Sequence, residues 1–120
     1  MRAGEAPSRA SEPASVRDAV KRFLDSKRNE NLAGSTLDKL KTIFERQFLA
    51  WATSAGFENL AEITTADLEA FRDIWTDGPL AKKKKQERLI GFFYYGMRLG
   101  WIKSNPAALL GLPPLRAFLL

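Results

Sequence analysis

Apolar residues recur at helical spacing in four separate stretches of the chain. In "SVRDAVKRFLDSKRNEN", Val16, Val20, Phe23 and Leu24 lie three or four residues apart, which predicts a helix over about 15–28. Ser15 is placed to cap it, with Asp18 three residues on. "NENLAG" then breaks the pattern, with Gly34 as punctuation. "STLDKLKTIFERQFLAWATSAGF" carries the clearest stripe: Leu37, Leu40, Phe44, Phe48 and Trp51. Ser35 or Thr36 is expected to cap this second helix, and Gly56 suits the left-handed position beyond its end. "ENLAEIT" reads as a short connection with Leu60 and Ile63 as apolar plugs. In "TTADLEAFRDIWTDG" a third helix is expected, capped by Thr65, with Leu68, Phe71 and Trp75 facing inward. Gly78-Pro79 closes it and opens a fourth helix of about 80–99, which Gly100 ends. "SNPAALLGL" reads as one more short helical turn, led by Ser104 or Asn105. No stretch alternates apolar and polar residues with period two, and no internal repeat is present. The expectation is an all-α bundle of four main helices joined by short loops.

At 120 residues the chain is long enough for one domain with one modest core. Residues 1–14, rich in Ala, Ser, Pro, Glu and Arg, read as a disordered leader. The folded domain is placed at 15–111, and 112–120, "LPPLRAFLL", reads as a linker. There is no cysteine, which excludes disulfides and thiolate chemistry. There is no histidine either, which removes the commonest general base and metal ligand. No apolar run approaches the ~18–20 residues needed to span a bilayer, and the N-terminus lacks a secretory h-region.

Charge changes the picture more than composition does. The net charge is +5, a mild pull toward anionic partners. Residues 57–78 carry six acidic groups and one basic group, Arg72. Residues 81–103 carry seven basic groups and one acidic group, Glu87. At 100° per residue, Leu89, Phe92, Phe93, Gly96, Leu99 and Gly100 gather on one side of the fourth helix. Lys84, Arg88, Gly91, Tyr95 and Arg98 gather on the other, with Lys83 and Glu87 along one edge. Lys82 and Lys85 turn toward the flank of the bundle, where their stems are expected to snorkel.

Four readings of the "KKKK" run compete. It can be a solvated face, a membrane-surface anchor, a nuclear-localisation signal, or a surface for phosphates. Lysines at a helix start oppose the macrodipole by ~0.3–1 kcal/mol each, a placement that makes sense if an anion docks there. The aromatics of this helix are needed for the core, so none is spare for membrane insertion. On the second helix Lys39, Thr42, Arg46 and Thr53 also lie away from the apolar stripe, with Ser35 and Thr36 at its start. Taken alone, these read as two caps and an ordinary exposed face; taken with the fourth helix, they give the expectation of two helices that offer polar residues to one duplex.

The ordered set "GSTLDKLKTIFERQFLAWATSAGF", "LAEITTADLEAFRDIW" and a basic run into "RLIGFFYYGMRLGWIKSNPA" resembles the N-terminal core-binding domain of phage-integrase-type tyrosine recombinases. The features of that resemblance are the capped Ser-Thr helix with its late aromatic (Ser35–Trp51), the Leu-x-x-Ile-Thr-x-x-Asp-Leu connection (Leu60–Leu68), and the Gly-Trp-Ile and Asn-Pro-Ala ending (Gly100–Ala107). It covers roughly residues 15–110. It implies a four-to-five-helix, SAM-like orthogonal bundle that forms one half of a clamp on recombination-site DNA. The contacts it implies are Ser35, Thr36, Lys39 and Thr42 on the second helix, and Lys82, Lys83, Lys84, Glu87 and Arg88 on the fourth. The family's chemistry resides in a separate catalytic domain, so the resemblance implies no catalysis by this chain and neither cofactor nor metal. Tyr94 is expected as core-edge packing. Tyr95 is left open between packing and donation to a phosphate.

The expected partner is double-stranded DNA, with other recombinase subunits as an open second partner, and neither a membrane nor a small-molecule substrate. The expected location is the cytoplasm, at the nucleoid. Because "GLPPLRAFLL" falls where the family's linker leads on, the chain reads as an excised domain or a truncated gene product. A helical adaptor for an acidic protein partner is the alternative. A small carboxylate enzyme using Asp67, Glu69 and Asp73 is the remote third reading.

Overall fold

The structure is a computed structural model, and it describes residues 14–110. The expected leader (apart from Ala14) and the expected linker lie outside the described residues. Helix α1 spans Val16–Arg28. The Ser15 hydroxyl caps it by accepting the Asp18 N–H at 3.0 Å, as its sequence suggests. Helix α2 is one continuous rod in three parts: α-helical Gly34–Lys41, π-helical Thr42–Leu49, and α-helical Ala50–Ser54. Helix α3 spans Thr65–Asp73 and α4 spans Pro79–Arg98. Short 3₁₀ turns occupy Leu60–Glu62 and Pro106–Leu109. The described residues form an all-α bundle without strands. A lone bridge joins Ser15 to Asn59, where Val16 N–H donates to the Glu58 carbonyl and Leu60 N–H to the Ala14 carbonyl, both at 2.8 Å. These bonds tie the start of α1 to the connection before α3.

The core is built around phenylalanine. Phe92 of α4 meets Phe23 of α1 at 5.2 Å between ring centroids, and Phe44 and Phe48 of α2 at 5.0 and 5.4 Å. Most of the neighbouring ring pairs in this cluster are edge-to-face, the arrangement that aligns the positive edge of one ring with the negative face of the next. Trp51 stacks on Phe71 at 4.8 Å, which joins α2 to α3. Leu60 and Ile63 are buried plugs, as expected. Gly56 and Gly100 take φ of +87° and +81°, the left-handed positions that end α2 and α4.

Several helix starts differ from the sequence expectation. Helix α2 begins two or three residues early: Ala33 is its N-cap, without a side-chain cap, and its carbonyl accepts from Thr36 and Leu37 N–H. Ser35 and Thr36 therefore sit inside the first turn, and Gly34 is a helical residue. Helix α3 is capped by Thr64, not Thr65. Thr64 Oγ1 accepts from Asp67 N–H, while the Asp67 carboxylate accepts from Thr64 N–H at 2.9 Å. Thr65 Oγ1 instead donates to the Pro106 carbonyl at 2.6 Å and staples α3 to the last turn. Asp67 is thus a capping group. Among the described residues no Asp/Glu cluster could hold a metal, and no helix is long and apolar enough to cross a membrane.

Two expectations along α4 fail as well. Leu99 lies outside the core, because the helix has tightened and ended at Arg98 before the residue can complete the inner face. Tyr94 was expected at the core edge and is not there, whereas Tyr95 takes one of the two roles left open for it. Tyr94 points outward and is 60% exposed. Tyr95 packs edge-on against Phe23 and Trp101, and its hydroxyl donates to the Arg22 carbonyl at 3.3 Å. Tyr95 therefore locks α4 to α1, and packing accounts for it.

Candidate nucleic-acid interface

Helices α2 and α4 present their polar sides across a shared open cleft of about 620 Å³. Lys39 and Thr42 stand on the α2 wall; Lys84 and Arg88 stand on the α4 wall. The apolar lining comes from Ile43, Leu80 and Ala81. On α4 the 4-residue step from Lys84 to Arg88 puts both on one flank. On α2 the relevant turn is the junction of the α-helical and π-helical parts, where backbone bonding shifts from four residues back to five. Ile43 lay outside the stripe read from sequence, yet it is buried and lines the cleft.

The structure therefore gathers four of the nine expected contact residues: Lys39, Thr42, Lys84 and Arg88. It does not gather the others into the same place. Lys82 and Lys83 border a different concavity, shared with Arg72, Asp77, Pro79 and Gln86. Ser35 is exposed in the first turn of α2, Thr36 is half-buried beside it, and Glu87 is exposed on the outer ridge of α4. Asp38 also lines the cleft.

Lys85 is the largest departure. It was expected to snorkel along the flank; it is instead 5% exposed, with Nζ donating to Asp77 Oδ1 at 2.6 Å. The same ammonium sits 4.7 Å from the Trp75 ring centroid. Pairing and the ring face together make burial of this charge tolerable. The Lys85 hydrogen bond holds the Asp77 carboxyl below the ordinary aspartate range, against the opposing effect of desolvation, with added attraction from Lys85 and Lys82. This pair pins the connection between α3 and α4 and so fixes where α4 starts. Sequence reading missed it because Asp77 and Lys85 belong to no regular spacing within one helix.

The other ion pairs among the described residues lie in and just after α1: Lys21 and Arg28 with Asp25, and Lys27 with Glu30. Lys39, Lys84 and Arg88 pair with no acidic group among the described residues. Of the cations that line the cleft, then, Lys85 is held by Asp77, which also lines it, and these three are not consumed within the described fold.

The class that this architecture defines is a small helical domain with a basic cleft between two helices. Comparison with protein families gives no match, and no curated protein matches in sequence. Two solved structures share the fold. One is the crystal structure of the N-terminal domain of a phage integrase/site-specific recombinase from Haloarcula marismortui, with a TM-score of 0.74 and 17% identity over 85% of this chain and 99% of that chain. The other is the solution NMR structure of a fragment, residues 61–160, of a Clostridium leptum protein, with a TM-score of 0.70 and 21% identity over 84% of this chain and 90% of that one. The chain resembles the integrase N-terminal domain in structure over most of its length, as its sequence features suggested.

Proposed function

We propose that this chain is a DNA-binding domain of the recombinase core-binding kind, which seats α2 and α4 against duplex DNA and performs no catalysis alone. The observation that carries the reading is the cleft in which Lys39 and Thr42 face Lys84 and Arg88. Two cations on one wall and a cation and a hydroxyl on the other offer phosphate-binding groups from two helices at once, which fixes a duplex backbone in register better than a single stripe does. The fold shared with an integrase N-terminal domain supports the same assignment. Lysine and arginine neutralise phosphates, and the exposed polar side chains of the first turns reach toward base edges. The contacts proposed are the nine residues named from sequence, with Lys39, Thr42, Lys84 and Arg88 at the centre. Its partners are then recombination-site DNA and further recombinase subunits, and its place is at the nucleoid.

The test is fluorescence anisotropy of a labelled duplex of about three helical turns, titrated with the chain at several salt concentrations. With about four to six phosphate contacts, log K should fall with log salt at a slope of about −4 to −5. Affinity at physiological salt should be about 10⁻⁴–10⁻⁶ M, the range of sequence-independent binding. Absence of salt-sensitive binding up to high micromolar protein, or unchanged binding by a Lys84→Glu, Arg88→Glu double variant, overturns the proposal.

A further inference from the structure

Helix α4 carries basic residues on two flanks, not one. Its residues at the cleft are Leu80, Ala81, Lys84, Lys85 and Arg88. Its residues at the second concavity are Pro79, Lys82, Lys83 and Gln86. At 100° per residue the two sets centre on nearly opposite sides of the helix. Between them runs a solvent ridge of Glu87 and Gly91, both exposed, which starts at Leu80, 82% exposed on the rim of the cleft. Arg72, in the last turn of α3, joins Lys82 and Lys83 across the second concavity. Arg72 is the single basic residue of an otherwise acidic segment, and it lies where that segment meets α4. The one carboxylate lining this concavity, Asp77, already holds Lys85 on Oδ1.

We infer that Arg72, Lys82 and Lys83 form a second phosphate-binding site, which grips the DNA strand opposite the one held at the α2–α4 cleft. This rests on the proposed DNA-binding function and goes beyond it. A helix with its side chains is about 10–12 Å across, and the major groove of B-DNA is about 12 Å wide. With the Leu80–Glu87–Gly91 ridge turned toward the groove floor, Lys84 and Arg88 face one backbone and Lys83 and Arg72 face the other; Lys82, on the inner side of α4, adds its charge from behind them. Arg72 thereby becomes a positioning residue supplied by α3, which carries none of the nine contacts named from sequence. Its planar guanidinium suits a phosphate held at a fixed orientation.

The experiment compares wild type, Arg72→Ala, Arg72→Lys, Lys83→Ala and Lys84→Ala on a duplex and on a single strand of the same sequence, with an unfolding curve for each variant. On the duplex, Arg72→Ala and Lys83→Ala should each reduce the magnitude of the salt slope by about 1, as Lys84→Ala does, with Arg72→Lys keeping the wild-type slope. On the single strand only Lys84→Ala should weaken binding, because one strand cannot occupy both flanks. Duplex binding by Arg72→Ala and Lys83→Ala equal to wild type, with Lys84→Ala weakened, overturns the second site and leaves the cleft intact. Equal losses on duplex and single strand overturn the two-strand arrangement. A wild-type chain that binds neither overturns the DNA-binding function itself.

Discussion

Lys85 Nζ lies 2.6 Å from Asp77 Oδ1, and the two are unequally buried: the lysine side chain is 6% exposed, the aspartate side chain 27%. This asymmetry sets what each substitution should do. Asp77→Ala leaves an ammonium enclosed without its anion, and removal of one partner from a buried pair costs about 3–5 kcal/mol. The Trp75 face retains part of the charge, so the lower end, about 3 kcal/mol, is expected. Lys85→Met fills similar volume with apolar atoms and leaves a carboxylate that water reaches, so a loss of less than about 1.5 kcal/mol is expected. Urea unfolding of both variants checks the order. Equal losses, or a larger loss for Lys85→Met, would show that the pair is not buried as described.

The same pair predicts acid sensitivity. Asp77 has a folded-state pKa lowered chiefly by the hydrogen bond from Lys85. A lowered carboxylate pKa means that the unfolded chain binds the proton more readily. The stabilisation is therefore fully present above the unfolded aspartate value, about 3.9, and is lost as pH falls through the lower folded value. The melting temperature of the wild type should drop between about pH 5 and pH 2 more steeply than that of a Lys85→Met, Asp77→Asn double variant. Parallel pH profiles for the two proteins would refute the linkage.

Helix existence and the inward-facing residues were legible because periodicity reports them directly: Val20, Phe23, Phe44, Phe48, Phe92 and Phe93 are all buried where their spacing puts them. Helix starts were less legible, because neighbouring hydroxyls compete for one cap. Thr64 and Thr65 both offer a hydroxyl, but only Thr64 has a carboxylate three residues on, Asp67, to complete the reciprocal cap, so this start was written in the sequence; Thr65 is then free to bond Pro106. The π-helical middle of α2 left no sign at all, since Thr42–Leu49 contains neither glycine nor proline. In the site, the α4 stripe from Lys84 to Arg88 could be read from the wheel, because both belong to one helix. The facing wall from α2, the burial of Lys85 and the approach of Arg72 depend on how helices pack, which one-dimensional periodicity does not encode.

Two glycines of α4 should respond oppositely to alanine. A Cβ at Gly91 meets nothing within 4 Å, whereas one at Gly96 meets Leu60 Cδ2 at 3.2 Å and Ile102 Cδ1 at 3.4 Å. Glycine inside a helix is destabilising by roughly 0.5–1 kcal/mol relative to alanine. Gly91→Ala should therefore raise stability by about that amount. At Gly96 the same propensity gain is opposed by overpacking against the buried Leu60, which costs about 1–3 kcal/mol, so Gly96→Ala should destabilise. Thermal melts of the two single variants suffice. A stabilising Gly96→Ala would mean that Leu60 and Ile102 yield freely, and that α4 is not held tightly against the Leu60–Glu62 turn.

Removal of one charge at the cleft should tighten binding. Asp38 is exposed and lines the cleft beside Lys39, so it places one negative charge near the proposed path of a phosphate. It makes no ion pair among the described residues, so its removal frees no cation and breaks no contact. In water, unit charges roughly 8 Å apart interact by about 0.5 kcal/mol, and salt lessens this further. Asp38→Asn should therefore tighten duplex binding by about twofold at low salt, with the gain shrinking as salt rises and stability unchanged. Glu45, exposed on the same helix but absent from the cleft lining, is the matched control: Glu45→Gln makes the same change in net charge. If both variants tighten binding equally, net charge governs affinity and the cleft has no special place in it. If Asp38→Asn alone does so, the phosphates lie along the cleft.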